Sequence, residues 1–196
     1  MNLDLNQILN RAKNILTEPI KEWEIIKSED SDKNQLLKNY VLPFAITIFV
    51  ASFFGNLMFL SFFSFTFQFL SALVSALTSV LGVYISAYVI TELSPSFNSK
   101  KNLNSTFKLV AYSFTASFVV SIVTGLIPAL SILSIAGLYS LYLIYTGLTP
   151  ILETSEDKKV PFLIVSTLVI IVTYLVLAFL LGLILTPFLA TTVLSL

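Results

Sequence analysis

With 196 residues, a hydrophobic fraction of 56%, a charged fraction of 11% and a mean hydropathy of +0.91, the chain is too apolar for a water-soluble domain, in which about 25% of residues are charged. Its formal net charge is zero and Arg11 is its single arginine, which excludes the basic face that nucleic-acid binding requires. Cysteine and histidine are both absent, so disulfides, thiol nucleophiles, Cys/His metal sites and His-based triads are excluded, and no cofactor is expected.

Residues 1–35 are the sizeable polar region. Leu5, Ile8, Leu9, Ala12, Ile15 and Leu16 recur at helical spacing, with Asn10, Arg11, Lys13 and Asn14 opposite, the pattern of a helix lying in the membrane interface. Thr17 is placed to cap a second short helix whose first turn tolerates Pro19. Ile20, Trp23 and Ile26 give that helix an apolar stripe, and Trp23 suits an interface anchor at the headgroup level. Two uses compete for this amphipathic arm: packing on the ends of a bundle, which is preferred, or docking a partner protein through residues 1–30. The first long apolar run starts near Tyr40, the wrong shape for a cleavable signal, so no processing is expected.

From Ser31, a plausible N-cap, the chain turns apolar. No Asp, Glu, Lys or Arg falls between Lys38 and Glu92, between Lys108 and Glu153, or after Lys159. A span needs about 20 apolar residues, so these stretches hold two, two and one helices. The reading is an all-α membrane protein, a bundle of about five transmembrane helices in residues 36–196 preceded by cytoplasmic amphipathic interfacial helices. The spans are expected near 40–61, 67–91, 108–127, 129–150 and 161–187. Ser61 to Phe65 makes a turn, Pro128 fits a first helical turn, and Pro150 and Pro187 are expected to end the fourth and fifth helices.

All eleven basic residues lie in the N-terminal residues up to Lys38, between Glu92 and Lys108, or between Glu153 and Lys159. The positive-inside rule then predicts a cytoplasmic N-terminus and an outside C-terminus, in a bacterial inner membrane.

Small residues repeat every four positions: Ser71, Ser75 and Ser79 in the second span, and Ser113, Ser117, Ser121 and Gly125 in the third. Two such stripes let backbones approach closely, and the expectation is that these two helices pack together through them. The alternative is a polar path lined by hydroxyls. Tyr84, Tyr88, Tyr112, Tyr139 and Tyr142 fall in the cytoplasmic halves of their helices, where phenols need partners; they are the candidates for a cytoplasm-facing cavity. Eight Phe between Phe53 and Phe69 crowd the first outer turn and imply lipid contact. No ionisable Asp, Glu, Lys or Arg lies deep in a span, which weighs against an ion-coupled carrier. The carboxylates on offer, Glu92, Glu153, Glu156 and Asp157, stand on charged connecting loops that read as solvated connectors, and no glycine-rich phosphate loop exists, which weighs against an enzyme.

The string Ile15-Leu16-Thr17-Glu18-Pro19 with Trp23 and Ile26, then Tyr40 through Pro43, resembles the start of bacterial members of the Yip (Ypt-interacting protein) domain family. Lys108 through Tyr112-Ser113-Phe114 is similar too, as is Gly137-Leu138-Tyr139-Ser140-Leu141-Tyr142 continuing through Gly147, Pro150 and Glu156-Asp157-Lys158. The resemblance implies five helices and a cytoplasmic N-terminus. It also implies kinship with eukaryotic proteins of early secretory membranes that associate with Rab-type GTPases. The Asp-Leu-Tyr-Gly-Pro signature of those members is missing here, so Rab binding is not carried over. The expected function is a non-enzymatic membrane scaffold, in contact with the lipid bilayer, forming a homo-oligomer and docking a cytoplasmic protein. The alternative is a passive conduit for a small molecule or lipid.

Overall fold

The computed structural model describes residues 5–30, 32–59 and 61–193. Among these there are nine α-helices and no strands: α1 Leu5–Thr17, α2 Pro19–Ser28, α3 Lys33–Leu36, α4 Leu42–Phe59, α5 Phe65–Leu93, α6 Leu103–Ser113, α7 Thr115–Leu126, α8 Tyr139–Leu152 and α9 Glu156–Val193. Four helical segments are long and apolar enough to cross a membrane, and the bent pair α6–α7 makes a fifth when taken as one span. The protein is an all-α membrane helix bundle. Its loops divide it into a charged end, carrying the arm and the Glu92–Lys108 and Glu153–Lys159 segments, and an end without charge.

Local chemistry explains most boundaries. The Asp32 carboxylate accepts from the Asn34 N–H and caps α3, Ser64 caps α5 through the Phe67 N–H, and Asn102 caps α6 through the Ser105 N–H. Each satisfies an amide that a helix start leaves orphaned. Ser31, the residue predicted for the first of these caps, lies outside the described residues. Thr17 does not cap α2: its hydroxyl turns back to the Lys13 carbonyl at 2.9 Å, and Glu18 takes the N-cap position ahead of Pro19.

The first span is one rod, α3 and α4 joined by a π-helical turn over Leu37–Val41. The extra residue of that turn brings both Tyr40 and Val41 inside. The Tyr40 hydroxyl donates a 2.6 Å hydrogen bond to Thr115 Oγ1, whose own proton goes to the Tyr112 carbonyl at 2.6 Å. This pair of bonds sits where the third span bends by 41° at Phe114. A helix that bends frees backbone carbonyls, and Thr115 satisfies one of them.

Two prolines behave differently from their sequence reading. Pro150 lies inside α8, which runs on to Leu152 and stops where Glu153 turns left-handed at φ 55°. Pro187 lies inside α9, which continues to Val193. A proline forfeits one backbone bond, but lipid offers the freed carbonyl no competing donor, so continuing the helix costs less than leaving it.

A further departure concerns the stretch before α8, expected as α-helix. Pro128–Leu138 is wound as 3-10 helix in two pieces that meet at a kink, where Leu130 leaves helical angles (φ −86°, ψ 16°); the piece beyond the kink is still longer than the usual three or four residues. The sequence of the segment repeats every three residues: Pro128, Ser131, Ser134 and Gly137 make one small face, while Ile132, Ile135 and Leu138 make an apolar one. The apolar residues are each more than 60% exposed. A helix of 3.0 residues per turn keeps both faces straight, whereas α-helical winding would spread the small face through about 180°.

The core lies toward the charged end. Trp23, Tyr40, Phe107, Leu109, Leu143 and Ile144 are almost wholly buried there. α5 and α9 run antiparallel, with the Phe97 and Phe162 rings stacked 4.7 Å apart. α4 packs on both α5 and α7.

Candidate functional site

Toward the uncharged end the helices separate around a cavity of about 1070 Å³. Its walls are α4 (Ile48, Ser52, Asn56), α5 (Ser71, Ser75, Ser79), α7 (Ser117, Phe118, Ser121, Gly125), the 3-10 segment (Pro128, Ser134, Gly137) and α9 (Thr167, Tyr174, Gly182). Helix packing accounts for the space. α9 leans on α5 and, near its start, on α8, while the 3-10 segment leans on α7. No close packing joins α9 to α7 or to the 3-10 segment among the described residues.

The two small-residue stripes therefore meet differently from the sequence expectation. Ser71, Ser75 and Ser79 face Ser117 and Ser121 across the cavity and do not pack on them. The close crossing is between α4 and α7. A methyl group on Gly125 would come within 2.6 Å of Ser52 Oγ, and one on Gly55 would run into the Gly125 carbonyl. Gly125 thus serves close packing, but against the first span. Ser113 is off the cavity, fully buried at the end of α6 with its hydroxyl unpartnered. Four-residue spacing reports a small face without saying which helix faces it. That is why the stripes were legible and their partners were not.

The wall is mainly apolar, with hydroxyls set into it. Ser75 donates to the Ser71 carbonyl at 3.0 Å, Ser79 to the Ala76 carbonyl at 2.7 Å and Thr124 to the Val120 carbonyl at 3.0 Å. Ser117 and Ser140 bond each other at 2.9 Å. Asn56 donates to the Gln68 carbonyl at 3.1 Å and to Ser71 Oγ at 2.8 Å, tying α4 to α5.

The tyrosines do not converge. Tyr84 and Tyr88 point outward from α5, and Tyr139 and Tyr142 point outward together from α8, their rings 5.3 Å apart. The Tyr139 hydroxyl donates to the Leu16 carbonyl of the arm at 3.0 Å. Tyr112 is buried, its ring 4.7 Å from Tyr40. A phenol in a helix near a charged loop finds its partner at the surface or in the arm, so no inward-facing cluster was needed to satisfy these groups.

The arm is seated on the charged end. Trp23 is no headgroup anchor: it is wholly buried, donates to Thr146 Oγ1 at 3.1 Å, and fills a notch left by Gly147. The Arg11 guanidinium pairs with Glu22 and Glu29 and lies 5.6 Å over the Tyr112 ring. Burial alone lowers the Arg11 pKa, but the negative charges around it outweigh burial and hold it above the ordinary value. Lys108 donates to the carbonyls of Ile26 and Glu29 at 3.2 and 2.5 Å, capping the end of α2, where a cation also suits the helix dipole.

A protein-family model described as the Yip1 domain matches residues 13–180. No curated protein and no solved structure matches the chain.

Proposed function

Because the chain belongs to the Yip1 domain family, we propose that it is a non-enzymatic membrane-organising protein of bacterial type that docks a cytoplasmic partner through its arm and associates with copies of itself. The observation that carries this reading is the way the arm is held. Ile8, Ala12, Ile15, Trp23 and Ile26 are spent on the bundle, and Arg11 and Lys108 pin the hairpin from two sides. The polar residues left outward include Asn10, Lys13, Asn14, Lys21, Glu24 and Lys27. They form a polar surface of fixed geometry, which can bind a partner without the entropy cost of ordering a loose segment.

Every basic residue lies at this end of the molecule. The positive-inside rule therefore supports a cytoplasmic arm in an inner membrane. Leu5, Leu9 and Ile20 stay exposed along the edge of the arm and suit contact with the headgroup region.

The test is site-specific photocrosslinking in native membranes from positions 13, 21 and 24. We expect discrete adducts from all three, and those from position 24 should disappear when Lys13 and Lys21 are both changed to Glu. Adducts to lipid alone from all three positions overturn the docking reading.

A further inference from the structure

The cavity at the uncharged end has no part in the docking reading. No acidic or basic side chain lines it. Five of its twelve hydroxyls donate to carbonyls of their own helices, and Ser117 and Ser140 bond each other, so these seven present satisfied oxygens and methylene groups to the space. Filled with water, the 1070 Å³ would hold on the order of thirty molecules at about 30 Å³ each, and every one needs two to four polar partners. Such a wall cannot supply them. An apolar occupant is the better physical match.

Depth and access narrow the choice. On α5 the lining runs from Phe67 to Ser79, about 18 Å of helix and so close to one leaflet of a hydrocarbon core about 30 Å thick. The side between α9 and the 3-10 segment is not closed by packing. An entry on that side passes Ile132 and Ile135 on one flank and Leu175 and Phe179 on the other, all strongly exposed.

The other five lining hydroxyls make no hydrogen bond among the described residues, and of these Ser52 is the buried one. Ser52 is 7% exposed, lines the cavity, and makes no hydrogen bond among the described residues. It lies beside Gly125, one residue from the end of α7, and so in the half of the cavity toward the uncharged end. A buried hydroxyl without a partner is costly unless something accepts from it. An ester carbonyl at the boundary between headgroup and chain is an acceptor at that level.

We propose that the cavity is a lipid site that takes one acyl chain of a glycerophospholipid from the adjacent leaflet. The chain enters between α9 and the 3-10 segment, and Ser52 donates to its ester carbonyl. The small face of the 3-10 helix, with Ser134 and Gly137 toward the space, keeps the wall thin where the chain lies.

The experiment uses the full chain reconstituted in vesicles of phosphatidylglycerol and phosphatidylethanolamine. These carry a trace of phospholipid with a diazirine near the end of one acyl chain. Photolysis is expected to place adducts on peptides covering residues 48–52 and 117–125. The double variant Ser75→Phe/Ser121→Phe fills the space and lowers those adducts at least several-fold; Ser121→Ala leaves them unchanged. Ser75→Phe alone, at a side chain already open to the cavity, gives an intermediate loss and serves if the double variant unfolds. Labelling confined to outward residues such as Ile132 and Phe179, or unchanged in the filled variants, overturns the proposal. Cavity residues that crosslink to a second copy of the chain overturn it as well, because the occupant is then a helix.

Discussion

The Trp23 indole occupies the space that Gly147 leaves on α8, where a methyl group would lie 2.8 Å from the ring. This contact joins the arm to the fourth span, and the 3.1 Å bond from Trp23 to Thr146 fixes the ring's orientation. Gly147→Ala therefore loosens the arm by overpacking, at about 1–3 kcal/mol, and Trp23→Ala does so by leaving a cavity, at about 3–5 kcal/mol. Limited trypsin digestion at Lys21 and Lys27 checks this: both variants should be cut faster than the parent, Trp23→Ala the more so.

Arg11 and Glu22 form a pair whose members are worth more together than apart. Glu22 is 4% exposed, so Arg11→Met leaves a buried, uncompensated carboxylate, at a cost of about 3–5 kcal/mol. The double variant Arg11→Met/Glu22→Met should recover most of the loss. The same protease assay reads both. A double variant as labile as the single one would mean that the other Arg11 contacts, with Glu29 and Tyr112, hold the arm.

The pH dependence of the arm follows from the sign of the Arg11 shift. Its pKa is raised in the folded protein, so its contribution is complete below the unfolded-state value and is lost only as pH climbs through the higher, folded one. Arm protection should therefore stay flat from neutral to moderately alkaline pH. A release in that range would assign the latch to a different group.

Gly55 and Gly125 set the crossing of α4 on α7. Gly55→Ala should destabilise the protein in detergent melting, since a methyl meets backbone that cannot swing aside. Gly182→Ala, with nothing within 4 Å, should be neutral or slightly stabilising. Because the chain has no cysteine, paired replacements report the packing directly. Cysteines at 117 and 140, whose native hydroxyls lie 2.9 Å apart, should form a disulfide, and those at 75 and 121 should not.

A cysteine scan over residues 128–138 tests the 3-10 geometry. Lipid-soluble thiol reagents should react most strongly at 132, 135 and 138, each more than 60% exposed, and more weakly at 137, a maximum recurring every three residues. Reactivity with a period near 3.6 would show an α-helix in the membrane instead.

Much of the charged end was legible in outline. The apolar positions of the arm that pack on the bundle, Ile8, Ala12, Ile15 and Ile26, share the amphipathic pattern seen in the sequence. Trp23 shows the limit of that pattern: an amphipathic ring suits the headgroup level or a buried slot equally well, and Gly147, over a hundred residues away, decides between them. The period of three in Pro128–Leu138 was open to reading as well, since its small residues stand at every third position. It escapes a search made only for α-helical spacing.

Helix number and the one-sided placement of charge are sums over neighbouring residues, and the chain alone determined them: three stretches without charge, each as long as one or two membrane crossings. Which faces meet is a different kind of quantity, because in lipid no hydrophobic difference drives one apolar helix face toward another in preference to the bilayer. Only the tertiary structure decided that Gly125 packs on Ser52, that the serine stripes stand apart across a cavity, and that the tyrosines turn outward. Shape and hydrogen bonding between distant segments choose the partners, and neither is written in local hydropathy.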